Sequence, residues 1–251
     1  MAKPGAALVT GAGARLGKAM AEALAADGWD VAVHYSRTRD GAANTAETIQ
    51  AMGQQAATVQ ADLSNETETA DLISKASNAL EQPITLLLNS ASTFFDDTAP
   101  NHARADWDRH MEVNLRAPIV LSQSFANALP SGTKGCIVNM IDQRVWKLNP
   151  QFFTYTLSKS ALWSATRTMA QAFAPNIRVN AIGPGPTLRS IHQSEADFDK
   201  EASATLTGEG SSPDEIINAL RYLVSATSVT GQMVASDGGQ HLMWQTPDIE
   251  L

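Results

Sequence analysis

Tyr155 and Lys159 stand four residues apart within the stretch 139–160, NMIDQRVWKLNPQFFTYTLSKS. On a helix that spacing puts both side chains on one face, about one turn apart. A cation beside a phenol favours the phenolate, so the pair is expected to lower the tyrosine pKa and make its hydroxyl a better proton donor. Asp142 precedes Tyr155 by thirteen residues, just past the apolar run Cys136-Ile137-Val138. A carboxyl group there is expected to meet the tyrosine across a cleft. Taken alone, Tyr-x-x-x-Lys is a weak signal that reads more readily as an exposed helical pair, and the rest of the chain has to decide.

The elements that must position these groups alternate along the chain. Residues 6–9, 31–33, 56–60, 84–88, 135–141, 177–182 and 232–236 read as strands. Amphipathic segments between them read as helices over 16–28, 42–52, 66–80, 105–129, 155–173 and 213–225. Gly28 is expected to end the first helix. Ile84-Thr85-Leu86-Leu87-Leu88 is almost wholly apolar, as a parallel strand covered on both faces must be. Strand–helix alternation implies right-handed crossovers and an α/β fold: a single Rossmann-type, doubly wound parallel sheet of about seven strands with helices on both faces. Ligands bind such sheets beyond the carboxyl ends of the strands. Asn89, Asp142 and Gly183 all fall at those ends, beside a glycine-rich turn.

Composition narrows the classes further. The 251 residues suit one large domain, with 43% hydrophobic and 18% charged residues, ordinary for a globular protein. A net charge of -8 argues against sequence-independent nucleic-acid binding. Cys136 is the only cysteine, which excludes an intrachain disulfide or a cysteine-built metal site and is expected to be a buried, inert thiol. Neither a signal-peptide core nor an apolar run near 18 residues is present, so a cytoplasmic protein is expected.

The turn Thr10-Gly11-Ala12-Gly13-Ala14-Arg15-Leu16-Gly17 joins the first strand to the first helix. Glycines there allow a tight turn and let backbone N–H groups approach phosphate at a helix N-terminus. Where an NAD site expects a carboxylate, about 20 residues on, the chain reads His34-Tyr35-Ser36-Arg37-Thr38-Arg39, with no acid before Asp40. Arg37, Ser36 and Arg15 offer charge-assisted hydrogen bonds to a 2′-phosphate, which favours NADP(H).

Thr10-Gly11-x-x-x-x-x-Gly17, Asp62, Asn89-Ser90-Ala91, Asn114, Tyr155-x-x-x-Lys159 and Pro184-Gly185 together resemble the short-chain dehydrogenase/reductase family, in its order and over nearly the whole chain. The resemblance implies hydride transfer with a nicotinamide cofactor, commonly by a homotetramer. It places Asp62 and Leu63 on the adenine side, and Asn89, Ser90 and Ala91 along the cofactor. Lys159 falls on the nicotinamide ribose, Tyr155 becomes the catalytic acid, and Asn114 supports a water relay. Pro184, Gly185, Thr187 and Leu188 fall near the nicotinamide or substrate. Two departures stand out: Asn89-Ser90-Ala91-Ser92 replaces the usual Asn-Asn-Ala-Gly, and Asp142 occupies the usual serine position, for which neither Ser122 nor Ser158 is a substitute.

An aspartate at that position also occurs in pteridine and dihydromonapterin reductases. Arg15-Leu16-Gly17, His34-Tyr35-Ser36-Arg37, Gln60-Ala61-Asp62-Leu63-Ser64, Ala91-Ser92-Thr93-Phe94 and Asn139-Met140-Ile141-Asp142 resemble that subgroup too. The likeness implies that Phe94 lies against a pterin ring, with Ser92 near substrate and cofactor and with Phe95 the competing ring. Trp146 either walls the pocket or packs. The stretch 186–203 is where a substrate lid lies in the family, His192 within it is expected to face solvent, and Gly238-Gly239 with the tail through Trp244 is expected to make subunit contacts. The resulting expectation is an NADPH-dependent reductase of pterin-like C=N bonds. A carbonyl reductase of the oxoacyl-thioester or sugar type and a non-catalytic NADP(H)-binding module are the alternatives.

Overall fold

The computed structural model describes residues 4–189 and 193–244. Seven parallel strands form one sheet in the order β3-β2-β1-β4-β5-β6-β7. They are β1 (Ala6–Val9), β2 (Asp30–Tyr35), β3 (Ala56–Gln60), β4 (Ile84–Asn89), β5 (Gly135–Met140), β6 (Ile177–Pro184) and β7 (Met233–Ser236). The direction of winding reverses between β1 and β4, and that switch point opens the crevice where such sheets take ligands.

The period-two pattern of β4 explains the two-sided core. Leu86 and Leu88 turn to one face, where they meet Met20 and Leu24 of α1 (Arg15–Ala26), Ile49 of α2 (Arg39–Ala51) and Leu220 of α8 (Pro213–Ser225). Leu87 turns to the other, against Leu72 of α3 (Glu66–Leu80) and Phe125 of α5 (Ala117–Ala128). All three leucines are fully buried, at about 1.5–3 kcal/mol each. Cys136 is buried among the first set, and burial pushes its thiol up to about 11, so it is inert at neutral pH. No helix among the described residues is long and apolar enough to cross a membrane.

Three elements differ from the sequence expectation. The second helix begins at Arg39, three residues early, on exposed polar positions that carry no apolar signal. The expected helix over 105–129 is broken into α4 (Arg104–Met111), a π turn at Glu112–Arg116, and α5. Pro118 accounts for the break: it has no N–H for the carbonyl four residues back, that of Asn114, and its ring crowds that carbonyl. Widening the turn relieves the clash, and Asn114 within it is fully buried. Within the expected lid lies α7 (Glu195–Ser203), a helix with no buried residue and therefore no apolar stripe to announce it. His192 lies outside the described residues.

Candidate active site

Asp142 follows β5, while Tyr155 and Lys159 lie on α6 (Phe153–Ala172), and the carboxyl and the phenol meet directly. Tyr155 Oη donates to Asp142 Oδ2 at 3.0 Å, and Asp142 Oδ1 accepts from the Arg144 amide at 2.8 Å. Lys159, almost completely buried, donates to the Met140 carbonyl at 2.8 Å. The expected pKa direction at Tyr155 is corrected. Burial first, and then the Asp142 carboxylate, hold the phenol well above its ordinary value, and the ammonium does not offset them. Burial also raises Asp142, against the Arg144 amide, and lowers Lys159 to about 8. The site therefore holds a neutral phenol hydrogen-bonded to a proton-avid carboxyl, with a cation behind them.

The two phenylalanines after β4 are placed differently. Phe94 meets Tyr155 edge-on, with centroids 4.7 Å apart, and stacks on Phe152 at 4.2 Å; Phe95 turns away to His110. The Arg144 guanidinium lies 4.9 Å from the Phe152 ring centroid. Phe152 sits at φ +52°, a strained conformation for a bulky residue, which this packing sustains. Asn114 is fully buried and holds the loop that carries Phe94: its Oδ1 accepts from the Thr93 amide at 2.8 Å and Ser92 Oγ at 3.1 Å, and its Nδ2 donates to the Thr93 carbonyl and Ser158 Oγ. Trp146 packs edge-on against Trp163 and on His241. Ser122 bonds within its own helix to the Pro118 carbonyl, and Ser158 to the Tyr155 carbonyl, so neither hydroxyl stands in for Asp142.

The glycine loop sits at the same edge. Gly11 has φ +67°, and a Cβ on Gly17 would lie 2.3 Å from the Gly11 carbonyl oxygen, so both must be glycine for the turn to close on α1. Thr10 Oγ1 accepts from the Ser90 and Ala91 amides at 2.9 and 3.0 Å, tying β1 to the end of β4. Asn89 Nδ2 donates to Asn139, while its buried Oδ1 has no hydrogen-bond partner among the described residues. Gly185 packs so closely on Asp237 that a Cβ would lie 2.6 Å from its Cα, and Thr187 Oγ1 donates to the Gly185 carbonyl.

Several residues expected to touch a cofactor are arranged differently. Leu63 is buried in the core on one face of the sheet and Leu16 packs against the core on the other, which leaves their main chains for contact. Asp62 Oδ1 accepts from the Ser64 amide and hydroxyl, bonds that hold its carboxyl below the usual range. Arg15, at φ +53°, donates to the carbonyls of Leu188 and Arg189 at 3.0 and 2.9 Å, so it clasps the segment after β6. Arg37 is exposed beyond β2, with Tyr35 and Ser36 half-buried before it.

His34 is corrected from a cofactor contact to a support of the loop. Its Nδ1 accepts from the Gly11 amide at 3.1 Å, which leaves Nε2 to donate to the Ala61 carbonyl at 3.1 Å, so no ring nitrogen remains for a ligand. Burial pushes its pKa down from 6.5 to about 4. Below pH 6.5 the unfolded chain takes up a proton that the folded chain refuses until about pH 4, so stability falls as pH drops through that window. This group alone is expected to make the protein about 2 kcal/mol less stable at pH 5 than at pH 7. His34→Gln keeps an acceptor and a donor and should flatten that difference in urea denaturation. An undiminished slope in the variant would assign the acid sensitivity elsewhere.

A glycine-rich turn after β1, the Tyr155/Lys159 pair on α6 and the Asp142 carboxyl lie together at one edge of the sheet. A short chain dehydrogenase family profile matches residues 5–200. The chain belongs to that family. Among solved structures, the FolM alternative dihydrofolate reductase 1 of Brucella canis, complexed with NADP, superposes with a TM-score of 0.95 at 48% identity, covering 100% of this chain and 99% of that one. The Brucella suis protein of the same name, also with NADP, gives 0.95 at 49% identity over 100% of both chains. Pteridine reductase 1 of Leishmania tarentolae is 32% identical, with 94% of this chain and 96% of its own length covered.

Sequence reading had named Asp142, Tyr155, Lys159 and Phe94, which the structure brings together. It missed Phe152, Arg144, Asp97 and His110. Phe152 has a faint signal in the doubled Phe152-Phe153 opening the helix; Arg144, Asp97 and His110 belong to no motif.

Proposed function

We propose that this protein is an NADPH-dependent reductase that delivers hydride to a C=N bond of a dihydropterin or a similarly flat nitrogen heterocycle. The carrying observation is the carboxyl of Asp142 at the strand end, receiving the Tyr155 hydroxyl at 3.0 Å beside the Phe94 ring. Two relatives described as dihydrofolate reductases and one described as a pteridine reductase support this choice of substrate class. The residues present fit the cofactor. The orphaned Asn89 Oδ1 marks an unfilled donor position at the sheet edge, the Gly11–Gly17 turn offers a cradle without side chains, and exposed Arg37 suits a 2′-phosphate.

NADPH, when bound, supplies the hydride. The protein supplies the proton and its placement. Burial raises the Asp142 pKa, which favours a carboxyl that presents a proton to a ring nitrogen and recovers one from Tyr155. Lys159 and Arg144 then stabilise the negative charge left on the pair. Only the ionised form of this carboxyl would repel a developing alkoxide, so the choice of pterin over ketone rests on the aromatic wall and the relatives.

NADPH oxidation by the purified protein should proceed with dihydrobiopterin, dihydromonapterin or dihydrofolate and remain idle with a panel of ketones. The opposite pattern would retire the pterin reading. Arg37→Ala should weaken NADPH about 10- to 100-fold, the scale of a hydrogen bond to charge, and leave NADH unchanged. Equal loss for both cofactors would refute its phosphate role.

A further inference from the structure

Behind the proposed site lies a buried polar chain that the proton chemistry does not use. His110 on α4 and Thr154 on α6 are fully buried, and Asp97 nearly so. The Phe95 amide donates to His110 Nε2 at 3.2 Å, so that nitrogen is bare and the proton is on Nδ1. Nδ1 therefore donates to Thr154 Oγ1 at 2.6 Å, and Thr154 Oγ1 in turn donates to Asp97 Oδ2. Asp97 Oδ1 also accepts from the Thr154 amide at 3.0 Å. His, Thr and Asp in contact resemble a nucleophile triad, but the polarity is wrong. The hydroxyl points its proton at the carboxylate rather than at the imidazole, and no surface reaches it.

The geometry suits a different task. Phe94 and Tyr155 are the two rings that face one another at the site, and each is followed or preceded by a residue bonded to the same imidazole. Phe95 hangs on Nε2 and Thr154 on Nδ1. The imidazole itself packs against the rings of Phe95 and Tyr155, at 5.3 and 5.9 Å. We propose that His110 is a positioning residue that sets how Phe94 lies against Tyr155, and with it the aromatic wall that a flat substrate would lie on. This rests on the proposed reading of the site as a heterocycle reductase. Burial keeps the ring in the neutral form that the strap requires, since a second proton on Nε2 would face the Phe95 N–H.

The test compares the wild type with His110→Leu, which removes both bonds, and His110→Gln, which can accept from Phe95 and donate to Thr154. In His110→Leu the dihydropterin KM should rise about 10-fold, while kcat at saturation and the NADPH Kd change less than about twofold; His110→Gln should return most of the KM. Thr154→Val, nearly isosteric, should raise KM in the same direction if the leucine variant does not fold. An unchanged KM in a folded variant overturns the proposal, as does a parallel loss of KM, kcat and NADPH affinity that glutamine fails to rescue. A second readout needs no turnover: the ring-to-ring NOE between Phe94 and Tyr155 should vanish in His110→Leu and return in His110→Gln, and its persistence in the leucine variant overturns the strap. If the wild type reduces no dihydropterin, the functional reading fails, while the NOE still decides the role of His110.

Discussion

Asp142→Asn is expected to leave the fold and NADPH affinity intact and to lower dihydropterin turnover by about 10²- to 10⁴-fold, the range for loss of a positioned proton-transfer group. Asparagine matches the carboxyl in size and can still accept from the Arg144 amide with its oxygen, as Asp142 Oδ1 does at 2.8 Å. It then presents an NH2 group to Tyr155, where Oδ2 now accepts the phenol's proton. An amide neither takes up that proton nor passes one on. The pH dependence carries the same signature. Burial raises the Asp142 pKa, so the acid form persists to higher pH than in an ordinary carboxyl group, and turnover should fall as pH rises through that raised value. The sign for stability agrees. A carboxyl whose folded pKa is raised contributes most below its unfolded pKa and loses that contribution as pH climbs through the folded one. The Asn variant should lack this limb. Retained turnover in a folded, NADPH-binding Asp142→Asn protein would make the residue structural.

Tyr155→Phe should cost about 10²-fold or more in kcat, with the dihydropterin KM little changed. The ring's edge-on packing with Phe94 survives the substitution, because the hydroxyl takes no part in it. What disappears is the donor to Asp142, and with it the replacement proton. Because the two groups act as one unit, the double variant with Asp142→Asn should be no slower than the slower single variant. Additive losses would show that they act in separate steps, and a KM-dominated effect would move Tyr155 from chemistry to binding.

The sheet could be read from the chain because parallel strands buried on both faces spell themselves in apolar runs. Ile84 to Leu88 is the clearest, and its neighbours follow the same rule. α3 starts and ends where its apolar period suggests, and Asn65 caps it, its side chain accepting from the Thr67 and Glu68 amides. Periodicity is blind where burial is absent, as in α7, and where a proline rewrites the hydrogen bonding without changing composition, as at the π turn. At the site, Asp142, Tyr155 and Lys159 stood out because their types and spacing suit proton transfer. The direction of the Tyr155 pKa did not, because the pair alone suggests a helpful cation while enclosure and Asp142 act the other way. His34 shows the same limit: its place just past the strand expected over 31–33 suggests a ligand contact, whereas it lies within β2 and accepts from the Gly11 amide.

The most direct test of the account follows the hydride itself. The protein would be given NADPH deuterated at the transferable C4 position, with a dihydropterin and a ketone at equal concentration, and both products would be examined by mass spectrometry. The account predicts one deuterium on a ring carbon of the reduced pterin and none in an alcohol. Deuterium recovered in the alcohol, with the pterin unlabelled, would contradict it.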